Sequence, residues 1–202
     1  MRFTVKPFKM KRLKKILLLL FSLAVLGLSG AVIFSPYGAH EGFSYKLIFH
    51  TVDIKAPVDS VFRFLGNSNN ARKWSVFVNH ITPLNSDSFP DGRPGSRRRC
   101  FCNADEKGTQ WDELITEVVP GKKRQLTIYH LVDFSMSAGG LATEQLYEEL
   151  PGHACRLTFT VFFKDHSPSW WESIKTYLAA YKIRDIFERN MNNIKRISET
   201  GK

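Results

Sequence analysis

Nineteen consecutive residues, Ile16 to Phe34, carry no charged side chain, and a basic run of Arg2, Lys6, Lys9, Lys11, Arg12, Lys14 and Lys15 precedes them. A helix of that length rises about 1.5 Å per residue and extends roughly 28 Å, close to the ~30 Å hydrocarbon core of a bilayer. The stretch that follows, Ser35 to Tyr45, offers only His40 and Glu41. The Lys/Arg asymmetry therefore predicts a cytoplasmic N-terminus and a domain across the membrane. A cleaved secretory signal would share the basic start, with a shorter apolar region and small residues before the cut. Leu28-Ser29-Gly30 is a poor cleavage site, and apolar residues continue through Ala31, Val32, Ile33 and Phe34, so an uncleaved anchor is the expectation. Either reading exports the same domain.

The chain then partitions into a basic cytoplasmic segment (1–15), an anchor (16–34), a breaker-rich linker (35–44), one domain (45–198) and a short tail (199–202). A little under 160 residues is enough for one domain with one sizeable core. The net charge of +10 falls to +3 once the first fifteen residues are set aside, which removes the case for a nucleic-acid partner. Arg97, Arg98 and Arg99 form the one compact cationic run in the domain; on a strand they alternate in direction, and a solvated run is the ordinary reading, with anionic lipid as the alternative. Cys100, Cys102 and Cys155 make an odd count, and two cysteines two residues apart on a strand share a face without favouring a bond. No cysteine or histidine spacing suits a metal, and no phosphate or dinucleotide motif is visible, so no metal or cofactor is expected.

Hydrophobic periodicity predicts a strand over Tyr45–Lys55, with Ile48, Val52 and Ile54 on one face, then a helix from Pro57 carrying Val58, Val61, Phe62 and Leu65. A second short helix reaches Lys73-Trp74. Six strand-like runs follow, at about Phe77–Leu84, Ser96–Ala104, Thr109–Val119, Arg124–Asp133, Ala142–Leu150 and Ala154–Phe163. Pro168 introduces a long helix to about Ser198, with Ile183, Phe187, Met191 and Ile194 at helical spacing. Antiparallel strands with helices segregated at both ends predict an α+β domain.

Pro120-Gly121 and Pro151-Gly152 fix an expected register if each pair forms a two-residue turn. The first hairpin then pairs Ile115 with Leu126, Glu113 with Ile128 and Trp111 with His130. The second pairs Leu146 with Leu157 and Glu144 with Phe159, leaving Thr143, Gln145, Thr158 and Thr160 on the other side. One face collects Trp111, Ile115, Leu126, Ile128, Leu146, Leu157 and Phe159, with Glu113, His130 and Glu144 among them.

Val52-Asp53-Ile54-Lys55-Ala56-Pro57-Val58-Asp59-Ser60-Val61-Phe62 followed by Trp74 resembles the opening of the START-like (SRPBCC) superfamily. Trp111-Asp112-Glu113 leading to Val118-Val119-Pro120, and Glu148-Glu149-Leu150-Pro151-Gly152 before a long final helix, are similar to its polyketide cyclase/dehydrase and lipid-transport branch. The resemblance spans Tyr45 to Ser198 and implies a helix-grip fold: a curved seven-stranded antiparallel sheet around the last helix, enclosing an apolar cavity. Trp74, Phe77, Trp111, Phe159, Trp171, Tyr177 and Tyr181 are the aromatics available to line or lid it, and all but Trp171 are assigned to the site, beside Glu113, Ile115, Ile128, His130, Glu144, Leu146 and Leu157.

The leading expectation is a membrane-anchored domain that binds or transfers an apolar or amphipathic small molecule, such as a lipid or quinone. A cyclase- or hydrolase-type enzyme using the same cavity is the alternative, with Glu113 steering His130 as an acid/base pair; no nucleophile stands beside them, and no catalytic residue is assigned. A third reading is a cavity-free domain acting through a protein partner.

Overall fold

The computed structural model describes residues 8–134, 140–163 and 169–201. Arg2, Lys6 and Pro168 lie outside those residues. Two compact units divide the chain at Ser35/Pro36. The first is helix α1 (Phe8–Ile33), whose stretch Arg12–Ile33 has a mean hydropathy of 2.7; its length and composition suit a single membrane span or a signal sequence.

The second unit begins at Pro36, so the expected linker is part of the fold. Tyr37 is buried against Phe163 and Tyr177, and Gly38 bridges to Leu47. Strand β1 (Leu47–Ile54) is followed by helix α2 (Val58–Gly66), a 3₁₀ turn (Ser68–Asn70) and a one-turn helix α3 (Ala71–Trp74). Strands β2 (His80–Pro83), β3 (Arg97–Phe101), β4 (Gln110–Val119), β5 (Lys123–Val132), β6 (Leu141–Leu150) and β7 (Ala154–Phe163) come next, then helix α4 (Trp170–Thr200). All seven strands join one antiparallel sheet in the order β1-β7-β6-β5-β4-β3-β2. This is the expected α+β helix-grip architecture.

Ser169 caps α4, its Oγ accepting from the Glu172 amide, and Gly201 ends the helix in the left-handed conformation that glycine adopts without steric cost. Between α2, α4 and the sheet lies the main apolar core, where Ile54, Val61, Leu157, Met191 and Ile194 are wholly buried. The three cysteines are free thiols, with Cys100 and Cys155 buried.

The hairpins depart from the expected register, for a local reason. Val119 pairs with Lys123 and Leu150 with Ala154, so each loop holds three residues rather than two. In the first loop the Lys122 amide donates to the Val119 carbonyl, with Gly121 at positive φ after Pro120: a type II turn, which Pro-Gly favours over the primed turns of two-residue hairpins. In β4 a bulge between Ile115 and Glu117 cancels the one-residue shift, so Ile115 still opposes Leu126 and Glu113 still opposes Ile128. The β6–β7 ladder is continuous and has no bulge to cancel it. Leu146 therefore pairs with Thr158 and Gln145 with Phe159, and every side chain of β6 turns to the face opposite the expected one.

That flip brings Gln145 and Tyr147 inside, where they meet Arg124 on β5. The Arg124 guanidinium donates to Gln145 Oε1 (3.0 Å), to Tyr147 Oη (3.3 Å) and to the Phe62 carbonyl (3.3 Å), and lies 4.4 Å from the Phe62 ring centroid. Burial lowers its pKa from the ordinary arginine value, and the same burial raises that of Tyr147. One cation thus ties α2 to two strands. Arg124→Ala is expected to cost about 2–4 kcal/mol, because it removes the guanidinium donor shared by Gln145, Tyr147 and the Phe62 carbonyl, leaving Gln145 Oε1 with Tyr147 alone, together with the ring contact. Chemical unfolding of the protein in detergent, followed by near-ultraviolet circular dichroism, measures it; a loss below about 0.5 kcal/mol would remove this role.

Candidate functional site

A cavity of ≈ 150 Å³ lies between the inner face of the sheet, the segment from Trp74 to Ile81, and α4. Its apolar wall is formed by Trp74, Phe77, Trp111, Ile128, Phe159 and Phe187, among others. The rings brace each other: Phe77 stacks on Trp111 at 5.6 Å between centroids, and Phe159 meets Trp74 and Phe187 edge-on at 6.1 and 5.9 Å. Phe134 packs edge-on against Phe77 and Trp111.

The segment holding Trp74 and Phe77 has no regular hydrogen-bonded ladder and is fastened by side chains instead. Asn190 Oδ1 accepts from the Val76 amide (2.7 Å), and Asn193 Nδ2 donates to the Trp74 carbonyl (3.1 Å), both from α4. Ser75 Oγ accepts from the Phe77 and Val78 amides. The helix that roofs the cavity therefore also positions its aromatic wall.

At the polar end, Arg98 on β3 stands directly opposite Glu113 on β4. Arg98 Nε donates to Glu113 Oε2 at 2.7 Å, and Trp111 Nε1 donates to Glu113 Oε1 at 2.9 Å. Arg98 and Glu113 are 6% and 7% exposed, so this is an ion pair inside the fold. Burial is the largest single effect and disfavours the Arg98 cation, yet the charge and hydrogen bond of Glu113, together with smaller contributions such as that of Asp91, leave the guanidinium pKa raised. Burial, reinforced by the Glu113 charge, holds the nearby Cys100 thiol well above its ordinary value, so the cavity's one cysteine stays protonated and a poor nucleophile. Asn67, Ser68, Ser75, Thr143, Gln145 and Asn190 complete the polar lining.

Of the residues expected at the site, Trp74, Phe77, Trp111, Glu113, Ile128 and Phe159 surround this cavity. Ile115 and Leu157 face inward and are wholly buried, outside its wall. The other five lie elsewhere. Glu144 and Leu146 are on the outer face through the β6–β7 shift, where Glu144 meets Lys123 at 3.3 Å. Thr143 and Gln145, expected outside, line the cavity. Tyr177 packs on Tyr37 and its hydroxyl accepts from Lys46, while Tyr181 is exposed on α4.

His130 is also outside, and a second irregularity explains it. The ladder shifts between Gln110 and Asp112, and His130 takes φ 50°, which turns its ring to the outer face. There Nδ1 lies 3.0 Å from Asp112 Oδ2, and Asp112 is also held by Arg99 at 2.6 and 2.9 Å. The Arg99 hydrogen bonds, then the His130 bond, lower the Asp112 pKa against the opposing effect of burial. The expected Glu113–His130 acid/base pair does not exist: the partner of Glu113 is Arg98.

Arg98, Gln145, Thr143 and Asn190 were missed from the sequence. Alternation along Arg97-Arg98-Arg99 does send the middle side chain opposite its neighbours, and Glu113 two residues beyond Trp111 supplies the buried partner such a side chain needs.

The seven-stranded antiparallel sheet with its long C-terminal helix defines a helix-grip protein. The chain belongs to the polyketide cyclase/dehydrase and lipid transport family, which matches residues 48–199. No curated protein sequence matches the chain. Solved structures share the fold at low identity. The protein CV1439 from Chromobacterium violaceum aligns with a TM-score of 0.52 and 16% identity over 76% of this chain and 97% of its own. The Aha1 dimer from Colwellia psychrerythraea gives 0.54 and 17% over 77% and 98%. The di-domain ARO/CYC StfQ from the steffimycin biosynthetic pathway gives 0.55 and 11% over 76% of this chain and 44% of StfQ.

The ion pair generates a non-additive expectation. Glu113→Ala alone leaves a buried guanidinium unpaired and is expected to cost about 3–5 kcal/mol, whereas Arg98→Met with Glu113→Leu recovers most of the loss. Equilibrium unfolding of the single and double variants decides it. Additive losses would show that the two side chains do not act as a pair.

Proposed function

We propose that this protein binds a small apolar or amphipathic molecule, such as a quinone or the ring-bearing part of a lipid, in the cavity beneath α4. The observation that carries the reading is the combination of an aromatic wall with one concentrated polar end, Arg98 and Glu113, inside a family of ligand-binding folds. Apolar pockets with a few convergent polar groups are the usual form of small-molecule sites. The volume narrows the choice. Cavities for drug-sized ligands run to about 300–1,000 Å³, while one of about 150 Å³ accommodates a benzene ring. The cavity suits a single ring, with any tail outside it.

Aromatic side chains would hold the ring, and the Arg98–Glu113 end would meet a hydrogen-bonding substituent. Both carboxylate oxygens of Glu113 already accept hydrogen bonds, from Arg98 and Trp111. That arrangement favours fixed recognition over proton transfer and places binding ahead of the cyclase or hydrolase alternative. If α1 anchors the chain, the ligand is drawn from, or returned to, the adjoining membrane.

Val161 on β7 and its cross-strand partner Thr143 on β6 both line the cavity, so Val161→Phe and Thr143→Leu add bulk at its wall. Each is expected to weaken binding of a short-chain quinone analogue at least tenfold, measured by intrinsic fluorescence titration, with melting behaviour retained. If the unmodified protein binds no such probe, or if neither filled variant weakens binding, the carrier reading fails.

A further inference from the structure

The first turns of α4 carry an apolar surface that the cavity does not use. Trp170 and Trp171 are 74% and 53% exposed, and Leu178 and Tyr181 are 43% and 44% exposed. Seven residues make nearly two helical turns, so Leu178 continues the stripe begun by Trp171. Further along, the exposed positions change character to Lys182, Arg184, Asp185, Glu188 and Arg189. The outer face of one helix is thus aromatic at its start and charged beyond.

The start of α4 is also where the folded unit receives the chain from the apolar helix. Tyr37 sits 5.3 Å from the Tyr177 ring, and Tyr177 is two turns below Trp170 on the same side of α4. Only Phe34, Ser35 and Pro36 separate Tyr37 from the last residue of α1. Fully extended, that connection reaches about 14 Å, whatever angle the two units adopt. If α1 spans a bilayer, this edge of the domain cannot leave the membrane surface.

We infer that the N-terminal turns of α4, led by Trp170 and Trp171, dock into the headgroup region of the bilayer that holds α1. Tryptophan is the residue best suited to that zone, with a large apolar ring system and one hydrogen-bond donor, and it concentrates at membrane interfaces. The two indoles meet edge-on at 5.6 Å between centroids, yet a wholly solvated role still leaves more than half of each in water beside the exposed Leu178. The charged continuation of the helix sets the depth, since the exposed Lys182, Arg184, Asp185, Glu188 and Arg189 remain in water. This inference rests on the anchoring reading of α1 but not on the cavity's having a ligand.

The full chain is reconstituted in phosphatidylcholine vesicles containing lipid brominated near the glycerol end of its acyl chains. Alkaline carbonate extraction first establishes that the protein is integral. Tryptophan fluorescence should then be quenched at least twofold relative to unbrominated vesicles. In Trp170→Phe/Trp171→Phe the remaining emission, from Trp74 and Trp111, should be quenched by less than a fifth. An integral protein with no quenching, or with equal quenching in the double variant, overturns docking while leaving the anchor intact. Release by carbonate overturns the anchor and the docking together. A quinone titration of the same vesicles reports on the cavity separately.

Discussion

Two opposite charges held inside the fold organise the site. Removing a guanidinium and a carboxylate from water costs several kcal/mol each, and the pairing is favourable only when the geometry is close and the remaining hydrogen-bonding positions are filled. Arg98 and Glu113 meet the first condition as direct cross-strand neighbours at 2.7 Å. Trp111 helps meet the second by donating its indole N–H to the other carboxylate oxygen. The same bond orients the Trp111 ring, which in turn supports Phe77 in a stacked pair. Polar and aromatic parts of the cavity are therefore one mechanical unit.

Around that unit the fold uses side chains to fasten what its backbone cannot. The wall from Trp74 to Val78 is held by Asn190, Asn193 and Ser75, and α2 is held to the sheet by Arg124. Each is a polar contact partly shielded from water, and so costly to leave unmade. The outer-face cluster of Asp112, Arg99 and His130 is the counterpart at the β4–β5 bulge, and it lies on the opposite face of the sheet from the cavity because alternate residues of a strand face opposite ways.

Element type and order were legible because they depend on periodicity and on Pro/Gly punctuation, which are local. The final helix and the strand succession could be read directly, and so could the inward placement of Trp111, Glu113 and Ile128. The failures arose where one residue changes parity. A Pro-Gly turn closed by a third residue shifted both hairpins, and a bulge near Thr116 corrected one and not the other. Glu144 and Leu146 were thereby assigned to the wrong face, and Gln145 was lost. His130 was misplaced by a bulge that no composition signal marks. Arg98 was hidden for a different reason: a triple arginine reads as surface, and only its alignment with Glu113 makes burial of the middle one affordable.

The central claim is that the space beside the Arg98–Glu113 pair exists to hold a small ring-bearing molecule. Native mass spectrometry of the protein, purified gently from the cells that produce it, tests this most directly. The account predicts a discrete small-molecule adduct on the unmodified protein that is missing from Val161→Phe. A protein that emerges free of any adduct, or an adduct that persists equally when the cavity is filled, would contradict it.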